Sequence, residues 1–388
     1  MTEQDLVPIT DTAALDAACE ALRPSEFLCV DTEFHRETTY YPKLCLVQVS
    51  GEGCEFIIDP LADGLDLSPF LALLMEPSRV KVFHAARQDM DIFVELAGAP
   101  PAPVFDTQIA AMALGLGDSI SYDNLIARLT GASIDKSSQF TDWQRRPLTQ
   151  KQLRYALGDV THLRDAYLRM RETLERQDRM DWVRAEMAVY EDPELYDADP
   201  KNAWQRLKVR RPRKDYLAVL AAVAAWREEL AQTLDKPRRR VLKDDAIQEI
   251  AEQRPVDAKS MDRLRAVPTG FGKSKHGESL LTAIRNAIND PEAYAPHIPR
   301  EPQRNPAPPG ATDMLKVLLK TVSDDRNVVP RLIANAADLE AIAQGRISDT
   351  AVGSGWRYEL FGKRAEALLD GHLAVRFRGG EVEFFETE

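Results

Sequence analysis

Short apolar runs and amphipathic stretches alternate through the first part of this chain. Phe27-Leu-Cys-Val30 leads directly into Asp31-Thr-Glu-Phe34. Leu44 to Val49 and Glu55 to Ile58 follow as strand candidates, separated by Ser50-Gly-Glu-Gly53, a hairpin-type turn. The spacing predicts a helix over Asp66 to Met75, a strand over Val80 to Phe83 and a helix over Arg87 to Leu96. Strands joined by a tight turn pair antiparallel, whereas strand–helix–strand order favours parallel pairing. A mixed sheet with helices packed on it is the expectation.

From about Thr149 onward the strand signals almost disappear. Thr149 is a candidate N-cap for a helix running through Tyr155, Asp159 and Leu163. Residues 201–214, KNAWQRLKVRRPRK, hold seven basic residues and no acidic one, and with Pro200 and Pro212 they mark a boundary. Asp215 to Leu234 reads as an Ala/Leu-rich helix, followed by the basic turn Lys236-Pro-Arg-Arg-Arg240. Helical patterns continue to about Asn289. Pro299 to Pro309 reads as a semi-rigid linker, and the segment from about Asp313 is again mostly helical.

At 388 residues the chain exceeds what one core usually organises, so two or three domains are expected. The composition, 44% hydrophobic and 29% charged, is that of a soluble globular protein. A net charge of −12 does not suggest a polyanion binder, so any such grip must come from local basic clusters. Cys19, Cys29, Cys45 and Cys54 lack metal-site or disulfide spacing and read as reduced thiols, in keeping with a cytoplasmic protein. The acidic N-terminus has no apolar signal region. The longest apolar stretch, Leu217 to Trp226, is about half of what a bilayer requires, so no membrane insertion is expected.

Asp31 and Glu33 stand two residues apart at a strand end, so their side chains share one face. Two adjacent carboxylates repel unless a cation neutralises them. Tyr155 and Asp159, four apart in a helical pattern, also share a face. A third element is His84, at the end of a strand, with Asp89 on the helix that follows. Each pattern alone is common among solvated residues; their order and context give them weight.

Asp31-Thr-Glu-Phe34, His84-Ala-Ala-Arg-Gln-Asp89 and Tyr155-Ala-Leu-Gly-Asp159 resemble the three motifs of the DEDD exonucleases, tyrosine subclass. Leu44-Cys-Leu-Val-Gln-Val49, Asp106-Thr-Gln108, Asp142-Trp143 and Arg146-Pro-Leu148 extend the likeness to the bacterial ribonuclease D family, over roughly residues 5 to 172. The resemblance implies that Asp31, Glu33, Asp89 and Asp159 hold two divalent cations, Mg²⁺ or Mn²⁺, as suits an all-oxygen donor set. It implies that Tyr155 orients or helps deprotonate the attacking water. The histidine subclass keeps its base where Arg154 stands here. Asp91, the nearest rival to Asp89, lies about 200° away around the helix. His84, Thr32 and Phe34 are candidates for contact with the terminal nucleotide, Asp106 for a structural role, and His162 for helix packing.

Residues from about Pro212 to Asn289 resemble the HRDC module, through Arg213-Lys-Asp-Tyr-Leu217, Trp226-Arg-Glu-Glu229, Asp235-Lys-Pro-Arg238 and Leu242-Lys-Asp-Asp-Ala246. In that family the loop after the first helix meets nucleic acid, which points to Lys236, Arg238, Arg239 and Arg240 as phosphate contacts. The expected architecture is an α/β mixed-sheet exonuclease domain of RNase H-like type followed by all-α HRDC-type helical domains. Its parts are the exonuclease at 1–175, a connecting helix and basic linker at 176–208, an HRDC domain at 209–290, a Pro-rich linker at 291–312 and a second, diverged HRDC-like helical domain at 313–388. The expected function is metal-dependent 3′→5′ exoribonuclease action on RNA, tRNA precursors above all, releasing 5′-mononucleotides, by a monomer. A proofreading-type DNA exonuclease and an inactive RNA-binding scaffold are the alternatives, and the presence of all four carboxylates and the tyrosine argues against the scaffold.

Overall fold

The structure, a computed structural model, describes residues 5–209, 213–298 and 306–387. Parts of the basic stretch 201–214 and of the Pro299 to Pro309 linker lie outside the described residues. Five strands form one sheet: β1 (Phe27–His35), β2 (Lys43–Ser50), β3 (Glu55–Ile58), β4 (Val80–Phe83) and β5 (Val104–Asp106), in the order β3-β2-β1-β4-β5. β1 runs parallel to β4 from Phe27↔Val80, and β4 parallel to β5. β2 and β3 pair antiparallel about the Ser50–Gly53 turn, with Val47 opposite Ile58. β1 is central, and its first four residues are an unbroken apolar run because both of its faces are covered.

The helices of this half are α1 (Thr12–Leu22), α2 (Ser68–Leu74), α3 (Arg87–Ala97), α4 (Thr107–Ala113), α5 (Tyr122–Thr130), α6 (Gln150–Arg176) and α7 (Met180–Met187). α6 opens with a capping box, in which Thr149 and Gln152 satisfy each other's backbone N–H groups. The chain divides into two compact units: residues 1–32, 46–192 and 301–388 form one, and residues 33–45 and 193–300 the other. Strand β1 runs unbroken across that division.

In the second unit α8 (Lys214–Thr233) is buried on nearly all sides. α9 (Arg238–Val241), α10 (Asp244–Gln253), α11 (Ala258–Met261), α12 (Lys275–Asn289) and α13 (Pro291–Tyr294) follow it. Glu228 on α8 is fully buried. Its carboxylate accepts bonds from Arg238 Nε (2.6 Å) and Nη2 (2.5 Å), Arg206 (3.1 Å) and the Tyr40 hydroxyl (2.5 Å). The Arg238 guanidinium also lies over the Tyr40 ring, 4.5 Å from its centroid. Burial alone would raise the Glu228 carboxyl, but the hydrogen bonds from Arg238 and Tyr40 outweigh it and hold it below the ordinary range. Of the four loop cations expected to face RNA, Arg238 is the one that closes an internal charge pair.

In the first unit the last segment shares one apolar core with the catalytic half. It comprises α14 (Ala311–Arg326), α15 (Pro330–Ile333), α16 (Ala336–Ala343) and α17 (Gly355–Arg357), which passes through a π turn at Tyr358–Gly362 into α18 (Lys363–Leu369). Asn327 Nδ2 donates to the Leu114 carbonyl and Val329 N to the Met112 carbonyl, each at 3.0 Å. Trp182 and Trp356 stack at 4.5 Å and 11°. The mostly helical reading of this segment needs a correction at its end. β6 (Leu373–Arg378) and β7 (Glu381–Glu386) form an antiparallel hairpin turning on Gly379 and Gly380, both at positive φ. No helix of the described residues is long and apolar enough to cross a membrane.

Glu228→Gln removes one charge from a buried pair and should cost about 3–5 kcal/mol of stability near neutral pH. Because the folded carboxyl is depressed, the wild type's advantage is full above the unfolded value of 4.5 and is lost as pH falls through the folded one. Denaturant titrations of both proteins at pH 7 and pH 3 check this, and an equal gap at the two pH values would contradict it.

Candidate active site

Three chain segments deliver the site. The end of β1 carries Asp31 and Glu33, the start of α3 carries Asp89, and the second and third turns of α6 carry Tyr155 and Asp159. Asp31, Glu33 and Asp159 each present a carboxylate oxygen, and these oxygens all lie within 4.8 Å of one another. A cavity of about 160 Å³ opens beside them, lined by Asp31, His84, Tyr122, Tyr155, Asp159 and Leu163.

Burial raises the Asp31 carboxyl to about 6, against the Thr32 N–H bond that lowers it. Asp159 is raised to about 9 by burial and then by the charge of Asp31, while the Tyr155 hydroxyl donates to it and opposes the shift. Asp89 is pushed well above the carboxylate range by burial and by Asp31. Asp89 stands outside the close triad, and the Thr32 hydroxyl donates to it at 2.5 Å. Thr32, a candidate for substrate contact, is buried, and its hydroxyl orients this carboxylate. Phe34 is half-buried, and Lys236, Arg239 and Arg240 are exposed.

Asp106 is almost fully buried and accepts from the N–H groups of Ala85 (3.0 Å), Ala86 (2.9 Å) and Gln108 (2.8 Å). It thereby caps α4 and pins the turn before α3, where Ala85 sits at φ 57°. Asp106 thus positions Asp89 through the backbone. Asp91 pairs with Arg87 at 3.4 Å. His84 Nδ1 and the Thr107 hydroxyl are hydrogen-bonded at 3.0 Å, and burial lowers the imidazole's pKa.

Two residues of the cavity were not anticipated. Leu163 was visible in principle, since 155, 159 and 163 step by four along one helical face. Tyr122 had no local signal; its hydroxyl donates to the Asp159 carbonyl and its ring lies 5.3 Å from that of His84. Close-set hard oxygens, with Asp89 and Asp159 raised by burial and by the charge of Asp31, suit a divalent cation, which relieves the repulsion that protons otherwise relieve.

Cation binding should therefore displace protons. Affinity for Mg²⁺ should rise between pH 6 and pH 9, with proton release visible as a buffer-dependent heat in titration calorimetry. Raised carboxyl values also mean that the cation-free fold loses stability as pH climbs from 3.8 through this window, so the thermal gain from Mg²⁺ should grow with pH. A gain independent of pH, with no proton exchange, would refute the coupling.

Residues 6–175 match the 3'-5' exonuclease family and residues 216–284 the HRDC domain. The chain is 44% identical to a ribonuclease D of Granulibacter bethesdensis over 98% of its length and 96% of the relative's. It is 46% identical to a ribonuclease D of Nitrobacter hamburgensis, covering 96% of this chain and 98% of that one. The crystal structure of Escherichia coli RNase D, described as an exoribonuclease involved in structured RNA processing, superposes with a TM-score of 0.79. That match has 28% identity and covers 95% of this chain and 100% of the other. With a mixed-sheet exonuclease half, an HRDC domain and full-length relatives at this identity, the chain belongs to the ribonuclease D family of 3′→5′ exoribonucleases.

Proposed function

We propose that this exoribonuclease trims the 3′ ends of structured RNA, transfer-RNA precursors above all, releasing 5′-mononucleotides by hydrolysis with two divalent cations. The observation that carries this reading is the convergence of Asp31, Glu33 and Asp159 with Tyr155 and His84 around one small cavity. Asp31, Glu33, Asp89 and Asp159 would hold the cations, Mg²⁺ or Mn²⁺. When bound, these supply a more acidic water and stabilise charge on the leaving 3′ oxygen.

The chain's own groups do the rest. Tyr155, already donating to Asp159, holds the attacking water and draws it toward the scissile phosphorus. The Thr32 hydroxyl donates to one oxygen of Asp89 and holds that carboxylate in place. His84, Tyr122 and Leu163 offer an aromatic and apolar wall to the terminal nucleoside. The substrate class is supported by the description of the Escherichia coli relative as acting in structured RNA processing.

Exposed Lys236, Arg239 and Arg240 form the RNA-facing part of the HRDC loop in this reading, with Arg238 bracing it from within. Residues 313–388 we read as a second, diverged HRDC-like unit. Both segments run from a long helix through a positive-φ residue, Asp235 or Asn327, past a proline, into a four-residue helix and then another helix. We read the protein as a monomer of the cytoplasm; its four cysteines are free and three of them are buried, which fits a reducing compartment.

Incubating 3′-labelled and 5′-labelled RNA and DNA of one sequence with Mg²⁺ tests the reaction directly. Stepwise release of the 3′ label from RNA is expected, and endonucleolytic cuts would defeat the proposal. Asp31→Asn should lower turnover by several orders of magnitude with folding intact, while Tyr155→Phe should slow it about 10²–10⁴-fold without loss of cation affinity. Normal kinetics in Tyr155→Phe would leave that ring a packing role. Arg239→Ser with Arg240→Ser should weaken RNA binding and flatten its salt dependence, and an unchanged slope would remove the loop from the grip.

A further inference from the structure

Beside the catalytic cavity lies a second one of about 240 Å³, and Tyr155 lines both. Its walls are of a different kind. Lys151, Arg154 and His162 project from α6, and Ser133 and Ser138 come from the segment that follows α5. The catalytic cavity offers rings and a leucine to a nucleoside; the second offers N–H and O–H donors. The carboxylate that faces it, Asp135, stands 3.8 Å from Lys151 Nζ, and both side chains are largely exposed, so this ion pair yields readily to a stronger anion.

The cavity's floor is Gly158, in the interior of a 27-residue helix. A Cβ there would lie in ordinary contact with His162, 3.8 Å away, so packing does not require the glycine, and its absence of side chain leaves the space open. On the same segment, two residues past Ser138, Phe140 is 92% exposed, the most exposed large apolar side chain of the described residues. An exposed aromatic ring two residues along the chain from the wall of a recess that holds Lys151 and Arg154 suits a single strand, with phosphates in the recess and a base on the ring.

We propose that this second cavity is a phosphate-binding subsite for the RNA strand that remains after cleavage, taking the phosphate next upstream of the scissile one, with Phe140 as a stacking surface for an upstream base. The inference rests on the exonuclease reading of the neighbouring cavity. It gives direction to the strand: the terminal nucleoside meets His84 and Tyr122, the scissile phosphate lies at the carboxylates, and the continuing backbone passes Tyr155 into the recess made by Lys151, Arg154 and His162. It also predicts what a substrate needs. A dinucleotide has only the scissile phosphate, whereas a trinucleotide adds the one this recess would hold.

The test compares steady-state cleavage of dinucleotide and trinucleotide RNA by wild type, Lys151→Ser with Arg154→Gln, and Phe140→Ala. Wild type should favour the trinucleotide in kcat/KM by about tenfold or more, the worth of a charge-assisted phosphate contact. The double variant should lose that preference through KM while cleaving the dinucleotide at the wild-type rate. Its salt slope on single-stranded RNA should also fall by about 0.7 for the one contact removed. Phe140→Ala should leave both short substrates alone and weaken binding of longer strands by about tenfold. Lys151→Arg with Arg154→Gln should keep part of the trinucleotide preference that Lys151→Ser with Arg154→Gln loses.

A wild-type preference that survives in the double variant overturns the subsite while leaving the catalytic reading intact. Failure of wild type to cleave either substrate instead removes the catalytic reading. If the recess serves the released nucleotide, the double variant will show weaker inhibition by 5′-mononucleotide with chain-length preference unchanged, and that outcome also overturns the proposal.

Discussion

Four neighbouring carboxylates, three of them with pKa values raised by burial and two of those raised further by the charge of Asp31, are the constraint around which the catalytic half is arranged. Their like charges push the delivering elements apart unless each is fixed independently. β1 is fixed by pairing on both sides at the centre of the sheet. α3 is fixed by Asp106, whose bonds to Ala85 and Ala86 set the turn from which Asp89 projects. α6 is fixed by its capping box and by Tyr122, which reaches the Asp159 carbonyl. Each anchor lies beside the carboxylates without neutralising them.

The other buried charges of the chain are treated in the opposite way. Asp59 is buried and receives a two-pronged bond from Arg146, both arms at 2.6 Å. Glu228 has Arg238 and Arg206. Lys81, fully buried and lowered to about 8 by burial, donates to the carbonyls of Glu76, Arg79 and Ala102. Structural charges are compensated within the fold. Asp106 is compensated by three N–H groups. Asp31, Asp89 and Asp159 have no ion pair among the described residues, and their pKa values are raised instead, the arrangement that proposed cation binding would relieve.

Much of this was legible along the chain because the relevant signals are local. A β-branched and aromatic run, a Gly-containing turn and a Thr149/Gln152 cap each act over a few residues, so β1, β3, β4 and the start of α6 could be read directly. The motif residues could be grouped by face for the same reason. What was not legible depends on contacts between distant segments. Tyr122 joins the cavity only through the packing of α5 on α6, and Arg238 turns inward only because Glu228 is buried one helix away and Tyr40 arrives from a loop near 40. Nothing within the run of arginines 238–240 marks one of them as different. The final hairpin is another case: alternation around Gly379-Gly380 was present but was outweighed by the helical character of the preceding residues.

The helix α6 shows how much can depend on a single local feature. Tyr155, Asp159 and Leu163 step by four along it, and Lys151, Arg154, Gly158 and His162 follow the adjacent stripe. One stripe lines the cavity beside the carboxylates and the other lines the basic recess, with Tyr155 at the seam. A slip of one residue at the helix start would turn every one of these side chains by about 100°. The Thr149 cap therefore does more than add stability to a helix end: by fixing where the first turn begins, it sets which residues line the cavity beside the carboxylates and which line the recess. In the proposed reading, chemistry and strand path are registered to each other by this one piece of rigid secondary structure, and no separate loop has to bring them into line.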